Sequence, residues 1–268
     1  MADALRRLRI LVSGATGGVG EALATRLVER GAEVLIHGRD PSSLAALGEH
    51  LRIPRERQFV ADLSSLVQVS QLARAVAAAG SLDALVNNAG VGFGRDRRQR
   101  EVSAESFELR FAVNYLAPFV LTESLVARGL PQRAVVNVAS AGQAPLVRDD
   151  LMSERNYDGV VAYRRSKLAL IADTFERASR DTTRSYLALH PGTFLATKMV
   201  REAGIAPQGT AESGGRAVLS VIERALAGET GRYFDGDQVA EADASASRPE
   251  LQAWLRQRAL QLSVPSRE

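Results

Sequence analysis

Short apolar runs alternate with longer stretches in which apolar residues return every three or four positions. Leu8–Val12, Glu33–His37, Gln58–Ala61, Leu82–Asn87, Ala134–Ser140 and Ser185–His190 have the length and β-branched content of buried strands. Between them, Gly18–Arg30, a stretch from Pro41, Ser64–Ala79 with a serine cap, Ser103–Arg128, Val160–Arg180, Glu212–Leu226 and Glu250–Leu260 read as helices. The Ser103–Arg128 helix is expected to break near Pro118, and Arg232–Phe234 to add a seventh strand at the sheet edge. Continuous apolar strands separated by helices predict a parallel sheet covered on both faces. No repeat, low-complexity tract or linker divides the chain. The pattern therefore predicts one α/β domain over residues 1–268, a doubly wound parallel sheet.

Two punctuations of this pattern carry chemistry. The first strand runs into Ser13-Gly14-Ala15-Thr16-Gly17-Gly18-Val19-Gly20 and a helix follows. Glycines there permit a tight turn, close approach to a pyrophosphate and close packing of helix on strand. The helix start offers free N–H groups and a partial positive charge. The second strand ends at His37-Gly38-Arg39-Asp40. An arginine here can pair with a 2′-phosphate where a carboxylate would favour a 2′-hydroxyl, so Arg39 points to NADP over NAD. Asp40 reads as the cap of the helix beginning at Pro41. Asp62-Leu63 closes the third strand, where an aspartate suits either an adenine amino group or a helix cap.

The second punctuation is Tyr163 and Lys167, four apart and so on one helix face. An ammonium near a phenol favours the phenolate, so the Tyr163 pKa is expected to fall toward working pH. Lysine is scarce here: Lys167 and Lys198 are the only two.

Composition narrows the classes. The chain has no cysteine, which removes disulfides and thiol chemistry, and its three histidines are far apart, which argues against a histidine metal site. The net charge is +3 and the basic cluster is local, Arg95 to Arg100, so nucleic acid is not the expected partner. No apolar run has membrane-spanning length and the first residues lack a signal-peptide core, so a cytoplasmic location is expected.

In order, the chain holds Ser13-Gly14-x3-Gly18-x-Gly20, Asn87-Asn88-Ala89-Gly90, Asn114, Ser140, Tyr163-x3-Lys167 and Pro191-Gly192. This set resembles the short-chain dehydrogenase/reductase family over nearly the whole chain. The resemblance implies a Rossmann-type sheet of about seven strands and hydride transfer with NADP(H). It implies that Tyr163 protonates a carbonyl oxygen or, in reverse, deprotonates an alcohol. Lys167 would hold the nicotinamide ribose, Ser140 would polarise the carbonyl, and Asn114 would hold a water linking Lys167 to solvent. Asn88, Ala89, Gly90, Pro191 and Gly192 would line the cofactor, with Thr193 or Thr197 on the carboxamide. It also implies a dimer or tetramer.

Ser140 and Tyr163 stand 23 positions apart, a longer gap than the family's usual one. The extra stretch, Asp149 to Tyr157, is similar to that of retinol dehydrogenases and light-dependent protochlorophyllide reductases. Gly231-Arg232-Tyr233-Phe234-Asp235-Gly236 resembles bacterial daunorubicin-type ketoreductases. The implied substrate is a medium-sized apolar ketone, aldehyde or alcohol, of the kind found in secondary metabolism. Its walls are expected in loops at about 141–160 and 193–215, with Phe93, Gln143, Tyr157, Phe194 and Met199 as contacts. Two other readings keep the fold: redox-neutral epimerisation or cyclisation of a polyketide-like intermediate, and cofactor binding without turnover.

Overall fold

Eight strands form one sheet in the order β3-β2-β1-β4-β5-β6-β7-β8. They are β1 (Arg9–Val12), β2 (Glu33–Gly38), β3 (Gln58–Val60), β4 (Ala84–Asn87), β5 (Ala134–Val138), β6 (Ser185–His190), β7 (Arg232–Asp235) and β8 (Gln238–Ala240). The coordinates are a computed structural model and describe residues 4–263. All neighbouring pairs are parallel except β7 and β8. Arg232–Phe234 is therefore not the edge. A short antiparallel return, with Val239 half exposed, covers it.

The helices are α1 (Gly18–Glu29), α2 (Pro41–His50), α3 (Leu66–Ala78), α4 (Leu109–Phe111), α5 (Ala117–Val126), α6 (Gly159–Arg180), α7 (Lys198–Glu202), α8 (Ala211–Leu226) and α9 (Pro249–Ser263). Strand side chains alternate between two cores. Ile10, Val12, Val86 and Val136 pack beneath α1 and α8, while Leu11, Leu85 and Val135 face α3, α5 and α6. Both sheet faces are thus buried, which is why the strands read as unbroken apolar runs.

Side-chain caps set the helix starts. Asp40 accepts the Ser43 N–H at 2.7 Å, Asp158 the Val160 N–H at 2.8 Å, and Ser65 the Gln68 N–H at 3.4 Å. Ser65, not Ser64, caps α3.

The expected helix from Ser103 begins later. Val102 and Glu108 form a small bridge, and the helical path starts at Leu109. Its irregularity is a π-helical turn, Ala112–Leu116, ahead of the proline. Pro118 causes no break, because it lies in the first turn of α5. The wide turn contains Asn114 and carries its side chain toward the loop after β4.

Strand order reverses between β1 and β4. In such sheets the crevice outside the carboxyl ends at this reversal is where ligands bind. The glycine turn, Asn88 to Gly90, Ser140, Tyr163 and Pro191-Gly192 all follow strand ends or line that side.

Candidate active site and dinucleotide cradle

The turn after β1 is built on close approach. Gly14 has φ 65°, and a Cβ on it would stand 2.7 Å from Ala89 Cα. A Cβ on Gly20 would fall 2.1 Å from the Gly14 carbonyl oxygen, so glycine is required there too. The Ser13 hydroxyl accepts the N–H groups of Asn88 at 3.0 Å and Ala89 at 3.1 Å. The Asn88 amide donates to the Ser13 and Gly14 carbonyls at 2.9 and 3.1 Å. These bonds lock the two strand ends on either side of the crevice together. Thr197 lies over the turn, its Cγ2 2.8 Å from where a Cβ of Gly18 would be.

Helix α1 starts at this turn with no side-chain cap, whereas α2, α3, α6 and α8 are each capped by a side chain. Its first N–H groups are donors without a side-chain acceptor. Arg39 is exposed at the end of β2 and makes no ion pair among the described residues. Asp62 accepts the Ser64 N–H at 2.9 Å, a local turn rather than a helix cap, and Leu63 is buried behind it.

The tetrad residues predicted from sequence come together at the ends of β4 and β5. Lys167 is buried and donates to the Val138 carbonyl at 2.8 Å. Its Nζ lies 5.7 Å from the Tyr163 ring centroid, on the same face of α6. Asn114 accepts the Val91 N–H at 2.8 Å and donates to the Val91 carbonyl and the Ser166 hydroxyl, both at 3.0 Å. The Ser166 hydroxyl donates onward to the Tyr163 carbonyl at 2.7 Å. Gly90 leaves room for this meeting, since a Cβ there would lie 3.2 Å from Asn114 Oδ1 and 3.5 Å from Lys167 Nζ. Ser140 is buried past β5, and its hydroxyl accepts the Gly142 N–H at 3.1 Å.

The protonation reading needs correction. The net direction is upward: burial raises the Tyr163 pKa and outweighs the opposing hydrogen bond with the Ser140 hydroxyl. Desolvation moves Lys167 the other way, lowering its pKa to about 8. The phenol is thus held as a neutral proton donor at neutral pH.

The expected substrate contacts divide. Phe93 packs edge-on against the Tyr163 ring at 5.1 Å between centroids. Met199 covers Gly92, where a Cβ would meet its Cγ at 2.5 Å. Gln143 donates to the Ser140 carbonyl at 3.3 Å and accepts the Asp243 N–H at 2.8 Å, tying the segment after Ser140 to the C-terminal region. Phe194 stands in the left-handed region at φ 44°, its carbonyl held by the Gln208 N–H. The Thr193 hydroxyl pairs with His190 Nε2 at 3.1 Å and its residue is exposed, while Thr197 faces the glycine turn. Pro191 and Gly192 turn the chain between them, Gly192 with φ 130°.

Tyr157 departs from expectation. Its hydroxyl donates to Glu108 at 2.9 Å and accepts from the buried Arg110 at 2.8 Å. Arg110 also pairs with Glu101 and donates to the Gly92 carbonyl at 3.0 Å. The phenol therefore anchors two loops to each other, and its oxygen is already committed.

Other residues shaping the site were not foreseen. Asn87 donates to Asn137 at 2.8 Å across the β4–β5 register, and Asn137 donates to Thr174 on α6 at 2.9 Å. Polar residues inside two otherwise apolar strands were the available signal. Tyr233 brings a buried hydroxyl from β7 into the electrostatic reach of Gln143 and Tyr163, and burial raises its pKa.

Comparison with known proteins agrees with this geometry. A family model for short chain dehydrogenase matches residues 9–206. Mouse retinol dehydrogenase 13 is 30% identical over 259 residues, covering 85% of this chain and 75% of that protein. An uncharacterised protein from Mycobacterium paratuberculosis superposes with a TM-score of 0.78 at 25% identity, covering 98% of this chain and 97% of the other. The Pseudomonas aeruginosa RhlG/NADP complex superposes with a TM-score of 0.68 at 25% identity, over 88% and 97% of the two chains. Eight mostly parallel strands, a glycine turn at the strand-order reversal and a family match over most of the chain lead to one conclusion: it belongs to the short-chain dehydrogenase/reductase family.

Proposed function

We propose that this protein is an NADP(H)-dependent reductase of ketones or aldehydes, working on a medium-sized apolar substrate and able to run as an alcohol dehydrogenase. The observation that carries the reading is the convergence of Ser140, Tyr163, Lys167 and Asn114 beside Gly90, next to a glycine turn whose helix has no side-chain cap.

The residues present fit a dinucleotide. Gly14, Gly18 and Gly20 keep the turn free of Cβ atoms, and Gly17 has open space around its Cα. The first turn of α1 would hold the pyrophosphate. Arg39 would pair with a 2′-phosphate, and the likeness to a protein solved with NADP supports NADP as the cofactor. Asn88, Ala89, Gly90, Pro191, Gly192 and Thr197 would line the nicotinamide half, with Lys167 at its ribose. When bound, NADPH supplies the hydride.

This chain's residues then manage the oxygen. The Ser140 and Tyr163 hydroxyls both donate toward the carbonyl oxygen and fix its position. The Tyr163 proton passes to that oxygen as the C–H bond forms, leaving tyrosinate. The buried Lys167 ammonium stabilises that anion across the 5.7 Å to the ring. A phenol raised by burial resists ionising before substrate arrives, which suits the reductive direction. Asn114 holds the loop after β4 against α6 through Val91 and Ser166. Phe93 against Tyr163 and Met199 over Gly92 give the site an apolar side, which supports an apolar substrate.

The test is NADPH consumption against a panel of aromatic and long-chain ketones and aldehydes. Turnover of apolar carbonyls with NADPH is expected. Cofactor binding without turnover of any carbonyl would contradict the reading.

A further inference from the structure

His37 is a buried histidine that the chemistry above does not use. It sits on β2, and its ring reaches two neighbouring strand ends. Nδ1 lies 3.2 Å from the Gly14 backbone nitrogen, and Nε2 lies 3.1 Å from the Ala61 carbonyl oxygen. A backbone N–H only donates and a carbonyl only accepts. Nδ1 must therefore be bare and Nε2 protonated, so both partners fit one neutral tautomer. The main chain of the same residue holds the turn again, because its carbonyl accepts the Ala15 N–H at 2.9 Å.

Gly14 is the residue on which the cradle depends. It stands in the left-handed region and fits against Ala89 with no space to spare. Its peptide has two directions of support: the Asn88 amide on its carbonyl and His37 on its N–H. A protonated imidazole has no lone pair for that N–H and would face it as one donor against another.

We propose that His37 is a positioning residue of the phosphate cradle: its neutral imidazole seats the Gly14 peptide and ties it to the end of β3, and protonation of the ring loosens cofactor binding. This rests on the cofactor reading above. Burial holds the His37 pKa below 6.5, against the pull of the Asp62 carboxylate, the charged group facing it from the end of β3. The neutral contact is therefore intact at pH 7 and is lost as pH falls through that lowered value. Asp62 follows Ala61 directly, so the ring couples the pyrophosphate turn to the strand end expected at the adenine.

The experiment is fluorescence titration of NADPH into the full chain from pH 8 to pH 5, for wild type, His37→Gln and His37→Leu. Glutamine can accept from Gly14 and donate to Ala61 without titrating. The 2′-phosphate also titrates near pH 6, but it is common to all three proteins, so the comparison isolates the ring. Wild type should lose affinity relative to His37→Gln as pH falls through the ring's lowered pKa, by about tenfold once the ring is protonated, roughly the upper worth of one neutral hydrogen bond. His37→Leu should bind weakly at every pH. If it fails to fold, the glutamine variant still decides the matter. Parallel curves for wild type and His37→Gln would overturn this proposal alone. No binding of NADPH by any of the proteins at any pH would overturn the cofactor reading and this proposal with it.

Discussion

At the scale of single residues, the site sets two opposed demands on one helix turn. In the proposed reduction Tyr163 has to stay protonated until a carbonyl arrives, and burial favours the neutral phenol. The same proposal has Lys167 carry charge while buried, at the cost of a pKa lowered from 10.5 to about 8. A shift of that size corresponds to about 3 kcal/mol. Its sign follows from the depressed value: the penalty is absent above the unfolded value of 10.5, grows as pH falls from there to about 8, and is full below about 8, hence at pH 7. Lys167→Met is therefore expected to raise the midpoint of thermal unfolding at pH 7 while abolishing turnover. Calorimetry of the variant checks this, and a lower midpoint would show that the Val138 hydrogen bond outweighs desolvation. Arg39→Ala should weaken NADPH by about 10- to 100-fold, the range for a charge-assisted pair, and change NADH little. Titration with both cofactors measures it. The sequence made the tyrosine–lysine spacing visible, but not the direction of the tyrosine shift. That direction depends on how deeply β5 and the loop after β4 enclose the ring, which no spacing contains. The same holds for His37, whose partners lie 23 and 24 positions away.

At the scale of elements, the apolar runs located the first seven strands because both sheet faces are buried. β8 was missed for the converse reason. Gln238, Val239 and Ala240 are exposed or half exposed and have no apolar run to mark them. The π turn at Ala112–Leu116 was misread as a proline break, because proline is a local signal and the extra backbone width answers a tertiary contact, Asn114 to Val91. The Asn87–Asn137–Thr174 chain ties β4, β5 and α6 together beside the proposed catalytic residues. Asn137→Ala would remove two buried hydrogen bonds, leaving Asn87 with Thr122 and Thr174 with the Leu170 carbonyl as remaining partners. It is expected to cost about 2–4 kcal/mol in urea unfolding and to lower turnover more than NADPH affinity.

At the scale of the whole molecule, the proposed cofactor half and the proposed substrate half rest on different stitching. The cofactor half is joined by backbone contacts too close for any side chain, at Gly14 and Gly20. The substrate half is joined by Arg110, Glu101, Glu108 and Tyr157, which pin the loop at 92–100 to the segment before α6. The notable length of that segment was legible, and its apolar purpose was inferred from resemblance. Its tyrosine, however, serves the loop contact. Helix α9 lies along α6, with Leu255 buried and Arg256 bridging Glu123 and Glu176. Leu255→Ala should destabilise the whole fold by about 2–5 kcal/mol, as for other buried leucines, with the catalytic constants of the remaining folded protein unchanged.

The central claim is that Tyr163 delivers the proton for hydride transfer to a carbonyl. The most direct measurement follows NADPH absorbance with an active apolar carbonyl for wild type and Tyr163→Phe, alongside NADPH affinity for both. The account predicts that the variant binds NADPH as wild type does and loses turnover by about 100-fold or more, the range for a general acid. Undiminished turnover in Tyr163→Phe would contradict it.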